Sequence, residues 1–403
     1  MSTAVCPNCL TGGMEILYSI DGIPVHSTIN LPTREMALKF PTGNLRLGFC
    51  STCGFLSNTA YDAHLQEYGQ NCEESQHFSP TFNKFAHELA SRWIEQYGLR
   101  GKTILEIGCG KGDFLALMCE IGDCRGIGID PSYQPSRMPS KIANRLRFIN
   151  DLYSEKYTSL EADCIMCRHT LEHIGPTLEF AQMVRRAIGP RKEMLILFEL
   201  PDVTRVLQES AFWDVYYEHC SYFSPGSLAR LFRKAGFDLM ELGRAYGDQY
   251  LLLAGRPVDR PATSRLRLED DLDDMRRLAG HYKQQAAASV SGWRESILAA
   301  HRRGEKIVLW SALSKAVAFL TTTKVGQAIE FGVDINPQRQ GRYLPITGQK
   351  IVAPSHLAEY RPDHVILMNP IYVPEVQSEL EKRSVPAKIV AVGRDSGLSA
   401  LKV

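Results

Sequence analysis

The sequence predicts an α/β protein with two parallel-sheet domains in tandem and a small cysteine-bearing β domain in front of them. Three observations carry that expectation. An apolar strand that runs into a turn, a helix and a second strand ending in aspartate occurs over residues 103–130, and again over 306–334. Units of this kind build parallel sheets with helical crossovers. Two C-x-x-C pairs precede both units, and 403 residues are enough for several separate cores.

The charge balance narrows the partners. Forty-six basic against 45 acidic residues leave a net charge of +1, so no global field selects nucleic acid or an anionic membrane surface, and a small-molecule substrate is expected. The first residues lack a basic and apolar leader, and no run approaches the ~18–20 apolar residues of a membrane span, so a cytoplasmic location is expected. In that compartment eleven cysteines point to metal ligands and buried thiols, not disulfides.

The first 60 residues carry Cys6-Pro7-Asn8-Cys9 and Cys50-Ser51-Thr52-Cys53 on glycine-flanked knuckles. Four thiolates suit tetrahedral zinc with no open position, so Cys6, Cys9, Cys50 and Cys53 are expected to hold a fold, not to do chemistry. A redox pair, independent buried cysteines and a nucleic-acid finger are the alternatives; sparse basic residues between the knuckles count against the last. Residues 61–98 read as a helical lid or connector. Tyr68, Cys72, Gln76, His77 and Phe78 lack periodicity and suit a loop that covers a ligand. Ser79-Pro80 then caps a helix with Phe82, Phe85, Leu89 and Trp93 on one face, ending at Gly98.

Residues 99–255 form the first parallel-sheet domain. Its turn reads Glu106-x-Gly108-x-Gly110-x-Gly112, where the glycines admit positive φ and a ligand against the main chain beside a helix N-terminus. The next strand ends in Asp130, a carboxylate suited to both hydroxyls of a ribose. The turn resembles motif I of class I S-adenosylmethionine (SAM) methyltransferases. On that resemblance Glu106, Gly108, Gly110 and Asp130 hold SAM, and the domain is a Rossmann-like class I methyltransferase sheet. A third strand leads to Asp151, where such folds place a bond to the adenine amino group. The fourth ends at Arg168 and His169, expected to face SAM or its acceptor at the carboxyl edge of the sheet. Glu172 and His173 follow; H-x-x-x-H without a third ligand makes hydrogen-bonded structure the leading reading of His173, with a metal role as the alternative.

After strand five comes Tyr216-Tyr217-Glu218-His219-Cys220-Ser221-Tyr222-Phe223-Ser224. A carboxylate beside an imidazole, with three tyrosines close by, is the material of acid–base chemistry, since histidine titrates near neutrality and a phenol can stabilise an enolate oxygen. A buried polar network that locks the loop is the other reading. This order of parts resembles the three-domain C-methyltransferases that act on nucleotide-linked keto-deoxysugars. The resemblance implies that His219 removes a proton next to a ketone, with Glu218 and Tyr216 in support, and that the enolate attacks the SAM methyl. His169 is the next candidate base.

Residues 256–304 read as a charged helical connector, a hairpin bracketing the domains, and residues 305–403 as a second Rossmann-like domain that binds the acceptor. The family's stretch W-G-A-x-x-K-G appears here as Trp310-Ser311-Ala312-Leu313-Ser314-Lys315-Ala316, with Ser311 and Ala316 in place of glycine. The expected activity is SAM-dependent C-methylation of a small keto-type acceptor. O- or N-methylation and SAM binding without turnover are the alternatives.

Overall fold

The computed structural model describes residues 4–66, 69, 71–135, 140–260, 264–393 and 401, which build three sheets. Strand β1 (Glu15–Pro24), the short helix α1 (Arg34–Leu38), β2 (Thr42–Phe49) and β3 (Leu56–Asn58) give an antiparallel sheet whose inward residues Leu17, Ile23, Leu45, Leu47 and Leu56 are buried. Helix α2 (Pro80–Gln96) starts where expected: the Ser79 hydroxyl accepts the Phe82 N–H at 3.2 Å, and Phe82, Leu89 and Trp93 are buried. Tyr68, part of the expected covering loop, lies outside the described residues.

The central sheet follows in alternation: β4 (Thr103–Ile107), α3 (Asp113–Gly122), β5 (Arg125–Ile129), β6 (Leu146–Ile149), β7 (Cys164–Arg168), α4 (Thr177–Ile188) and β8 (Leu195–Pro201). Next come α5 (Val203–Glu209), β9 (Ser221–Tyr222), α6 (Pro225–Lys234), β10 (Phe237–Ala245) and β11 (Tyr250–Pro257). The strand order is β10-β11-β8-β7-β4-β5-β6; the five strands from β8 to β6 run parallel, and β11 and β10 close one edge antiparallel. The order reverses between β4 and β7, so their carboxyl ends form the crevice in which ligands of such sheets sit. Strand β9 does not join this sheet. It pairs Leu56 with Tyr222 and Ser57 with Ser221, giving the N-terminal sheet its fourth strand.

The expected hairpin is one helix, α7 (Leu272–Arg302), of 31 residues. No proline interrupts it, and Met275, Leu278, Ala279, Tyr282, Ala286, Trp293, Ile297 and Ala300 stay in phase and buried. Trp293 meets Trp213 and Phe319 edge-on, and Tyr282 meets Tyr18, so the helix is a core element, not a solvated bracket. The third sheet comprises β12 (Ile307–Trp310), α8 (Ser314–Thr323), β13 (Ile329–Val333), β14 (Lys350–Val352), α9 (Leu357–Tyr360), β15 (His364–Leu367), α10 (Val373–Lys382) and β16 (Lys388–Ala391). Its order is β14-β13-β12-β15-β16, all parallel, the second doubly wound unit.

Candidate active site

The glycine turn between β4 and α3 takes the left-handed backbone its residues allow, with φ of 69°, 55° and 85° at Gly108, Gly110 and Gly112. Close approach also fixes the first of these, since a Cβ on Gly108 would lie 2.0 Å from the Thr170 hydroxyl. Asp130 at the end of β5 pins the turn: its carboxylate accepts the Gly110 N–H at 2.8 Å and the Ser132 N–H at 2.7 Å. Glu106 is buried, burial raises its carboxyl to about 8, and its Oε2 has no partner among the described residues. Opposite, the Arg168 guanidinium lies 3.5 Å from the centre of the Phe114 ring and donates through Nε to Glu199, while Nη2 has no partner among the described residues. A buried carboxyl oxygen and a buried guanidinium N–H, both unpaired beside a glycine cradle, fit the amino and carboxylate groups at the amino-acid end of SAM. Gly108→Ala adds both the clash and the strained φ, and should reduce SAM affinity by at least about 10-fold in calorimetry, with the fold's thermal transition retained.

The loop after β3 reaches over this turn. The Glu74 carboxylate lies 3.1 Å from where a Cβ on Gly110 would stand, and Asn336 donates to Glu73 at 2.9 Å from the third sheet. Fully buried Arg339 donates to the carbonyls of Thr28 at 2.9 Å, Glu73 at 3.1 Å and Ala312 at 2.7 Å, one from each of three separate stretches. Tyr372 donates to Gln76, and the Ser79 hydroxyl to Glu375. Asp151 is engaged close to home, by Lys156, by the Tyr157 hydroxyl at 2.5 Å and by the Leu152 N–H; its hydrogen bond to Lys156 holds it down at about 2.

Past β7, His169 adopts φ 48° and sits between two carboxylates, Glu172 at 3.7 Å and Glu199 at 3.4 Å. Burial disfavours its charge, but the two carboxylates outweigh burial and raise it to about 9. Near pH 7 this imidazole is charged and has no lone pair with which to take a proton. His219 is the opposite case. Burial, then the neighbouring His173, His169 and Lys315, push its pKa well below the usual histidine range, so it stays neutral. Its ring lies 4.2 Å from that of Tyr216 and 4.8 Å, edge-on, from that of His173. His173 Nδ1 donates to the Glu218 backbone carbonyl at 2.9 Å, consistent with the hydrogen-bonded role read from the sequence. The Glu218 carboxyl accepts through Oε1 the Ser27 hydroxyl, the Ser27 N–H at 3.0 Å and the Ser314 hydroxyl at 3.5 Å, its Oε2 has no partner among the described residues, and burial raises it to about 7. Lys315 pairs with Asp214 at 3.0 Å.

The four cysteines of the knuckles converge. Cys6 and Cys53, and likewise Cys9 and Cys50, have sulfurs 3.6 Å apart, and all four sulfurs lie within 4.8 Å of one another. Tetrahedral zinc with Zn–S of about 2.3 Å places its sulfurs roughly 3.7 Å apart, so the cluster has the size for zinc. The knuckles rest on α6: Asn8 donates to the Ser227 carbonyl at 3.1 Å, Arg230 to that of Cys53 at 3.0 Å and Lys234 to that of Cys9 at 2.7 Å.

Comparison with known proteins agrees with this architecture. Residues 82–242 match the family model described as "Methyltransferase domain", and residues 263–390 match "C-methyltransferase C-terminal domain". The chain is a SAM-dependent methyltransferase. It is similar to "C-methyltransferase NovU" of Streptomyces niveus, 26% identical over 312 residues that cover 72% of this chain and 71% of that protein. "Ribosomal protein L11 methyltransferase" of Histophilus somni is 28% identical over 113 residues, 26% of this chain and 36% of its own length. Among solved structures, Burkholderia thailandensis 1,6-didemethyltoxoflavin-N1-methyltransferase with bound S-adenosylhomocysteine is 19% identical, covers 45% of this chain and 82% of its own, and has a TM-score of 0.36. A methyltransferase in calicheamicin biosynthesis, in its S-adenosylhomocysteine-bound form, is 15% identical, covers 42% and 54%, and has a TM-score of 0.34.

Several residues of this methyltransferase's site went unmarked in the sequence reading. Glu199, which holds Arg168 and His169, is the last acidic residue of an apolar strand, and its position at the carboxyl end was the available signal. Ser27 and Arg339 reach in from distant loops, and no local pattern connects them to the site. Tyr246 and Tyr250 stack at 5.0 Å, with Tyr250 edge-on to His169 at 4.5 Å.

Proposed function

We propose that this enzyme methylates carbon next to the ketone of a small acceptor, a keto-deoxysugar nucleotide or related intermediate, with His219 as the base. The observation that carries this is the neutral, buried His219 ring against Tyr216, on the stretch that follows β8 at the carboxyl edge of the sheet. A carbon acid needs an unprotonated base in a dry site, and a neutral phenol beside it to receive charge on the oxygen. Burial keeps the Tyr216 hydroxyl protonated, raising it well above its ordinary value. SAM supplies the methyl group when bound. The chain's own work is to hold its amino-acid end through Glu106 and Arg168, to take the acceptor's α-proton at His219, and to donate to the developing oxygen from Tyr216. The name of the Streptomyces niveus relative, a C-methyltransferase, favours the same reading. Zinc at the four cysteines holds the N-terminal sheet in this proposal and has no part in the chemistry, and the enzyme works on its soluble acceptor in the cytoplasm. No helix among the described residues is long and apolar enough to cross a membrane.

The test is proton exchange. With S-adenosylhomocysteine in place of SAM, the enzyme should exchange the acceptor's α-proton with deuterated water, read by mass spectrometry across a panel of keto-sugar nucleotides. Methylation of an oxygen or nitrogen, found by product NMR, would overturn the reading. The pH profile follows from the direction of the His219 shift. The base acts when deprotonated, and its lowered pKa keeps it so through neutrality, so the acid limb of kcat/KM should fall well below pH 6.5.

A further inference from the structure

The H-x-x-x-H pair of His169 and His173 does not share a ligand cluster among the described residues, but Glu172 and His173 meet a third group from another segment. Glu172, His173 and His219 each bring a ligand atom to within 4.8 Å of the other two. Glu172 is 2% exposed, and its Oε2 has no hydrogen-bond partner among the described residues, an uncompensated buried acceptor that is costly unless a ligand satisfies it. His173 donates from Nδ1 to a backbone carbonyl, the outer contact that fixes the tautomer and ring plane of a liganding histidine. The His219 ring stands edge-on to that of His173 at 4.8 Å, which brings the two imidazoles to one side of Glu172.

We propose that Glu172, His173 and His219 form a second metal site, open on one face, that takes a zinc-class dication and in doing so blocks the base. Two imidazoles and one carboxylate select a transition-metal ion over magnesium or calcium, and three protein ligands leave a position for water or acceptor oxygen. Ligands about 2.0–2.1 Å from tetrahedral zinc lie roughly 3.3 Å apart. Separations within 4.8 Å are wider than that, so a bound ion draws the three ligand atoms together. The site is distinct in kind from the four-cysteine cluster: it has no thiolate, and it keeps an open coordination position. Metal bound here takes up a lone pair on the ring that otherwise receives the acceptor's proton. The SAM cradle of Glu106, Gly108 and Arg168 shares no residue with it, so SAM still binds.

The experiment uses the full chain with the four-cysteine site already loaded with zinc. Titration with Zn²⁺ followed by calorimetry should show a second equivalent per chain, and turnover should fall as that equivalent fills while SAM affinity holds. Glu172→Gln should weaken the second event by at least about 10-fold. Titration with Co²⁺ needs no variant: the added equivalent should give weak d–d bands without thiolate charge transfer. Saturation at one equivalent, a second equivalent with thiolate charge transfer, a second event unchanged in Glu172→Gln, or a filled site with full turnover would each overturn the proposal. The binding readouts do not use turnover, so they stand apart from the reading of His219 as the base.

Discussion

Replacing His219 with alanine should lower turnover by roughly 10²–10⁴-fold, the contribution of a positioned base, while leaving SAM affinity nearly unchanged. The separation follows from the layout: the proposed SAM cradle lies at the ends of β4, β5 and β7, whereas His219 stands on the stretch between β8 and β9 and touches Tyr216 and His173. His169 cannot take over without reorganisation, because Glu199 and Glu172 hold it as a cation. Tyr216→Phe should cost less, since it removes one donor to the oxygen and keeps the ring that packs on His219. Single-turnover methylation and calorimetry on the same preparation give the two numbers. Near-normal turnover in His219→Ala would place the base elsewhere.

Removing zinc should be as damaging to catalysis, by a longer route. Structural zinc sites in small peptides bind with an apparent free energy of about 10–16 kcal/mol, comparable with the whole stability of a domain at about 5–15 kcal/mol. Cys50→Ser should therefore melt the β1-β2-β3 sheet while the central α/β sheet keeps its helical signal and its SAM site. Turnover should nevertheless drop to background, because β9 is bonded to β3 through Leu56 and Ser57, and the Asn58 N–H donates to the Cys220 carbonyl at 3.0 Å. With that sheet gone, the residue after His219 loses its support. Zinc content, circular dichroism, calorimetry and turnover of the variant decide the matter. A zinc-free protein with full activity would remove both the site and the coupling.

What could be read ahead of the structure was local. The glycine turn was legible because positive φ at Gly108, Gly110 and Gly112 is a property of those residues in place, and Asp130 closes the turn from 20 positions on. The cysteine pairs were legible for the same reason, since two knuckles state their own geometry. What escaped is what distance in sequence hides. Ser27 meets Glu218 across 191 residues, and nothing around Ser27 advertises it. Strand β9 is two residues long, too short to show a period, yet it ties the stretch that carries Tyr216 and His219 to the N-terminal sheet. Helix α7 read as a hairpin because Gly280 and a polar run at 283–285 break its apolar stripe, although small residues such as Ala279 and Ala286 continue the buried face.

Arg339 links the cover of the glycine turn to the C-terminal sheet. One guanidinium grips Thr28, Glu73 and Ala312, and the Glu73–Glu74 pair overlies Gly110. The stretch above the glycine turn is thus fastened to the C-terminal parallel-sheet domain that carries Arg339. Glu74 stays over Gly110 for as long as Arg339 holds its three carbonyls, so any movement that uncovers the glycine turn has to break these contacts or carry the third sheet's loops along with it.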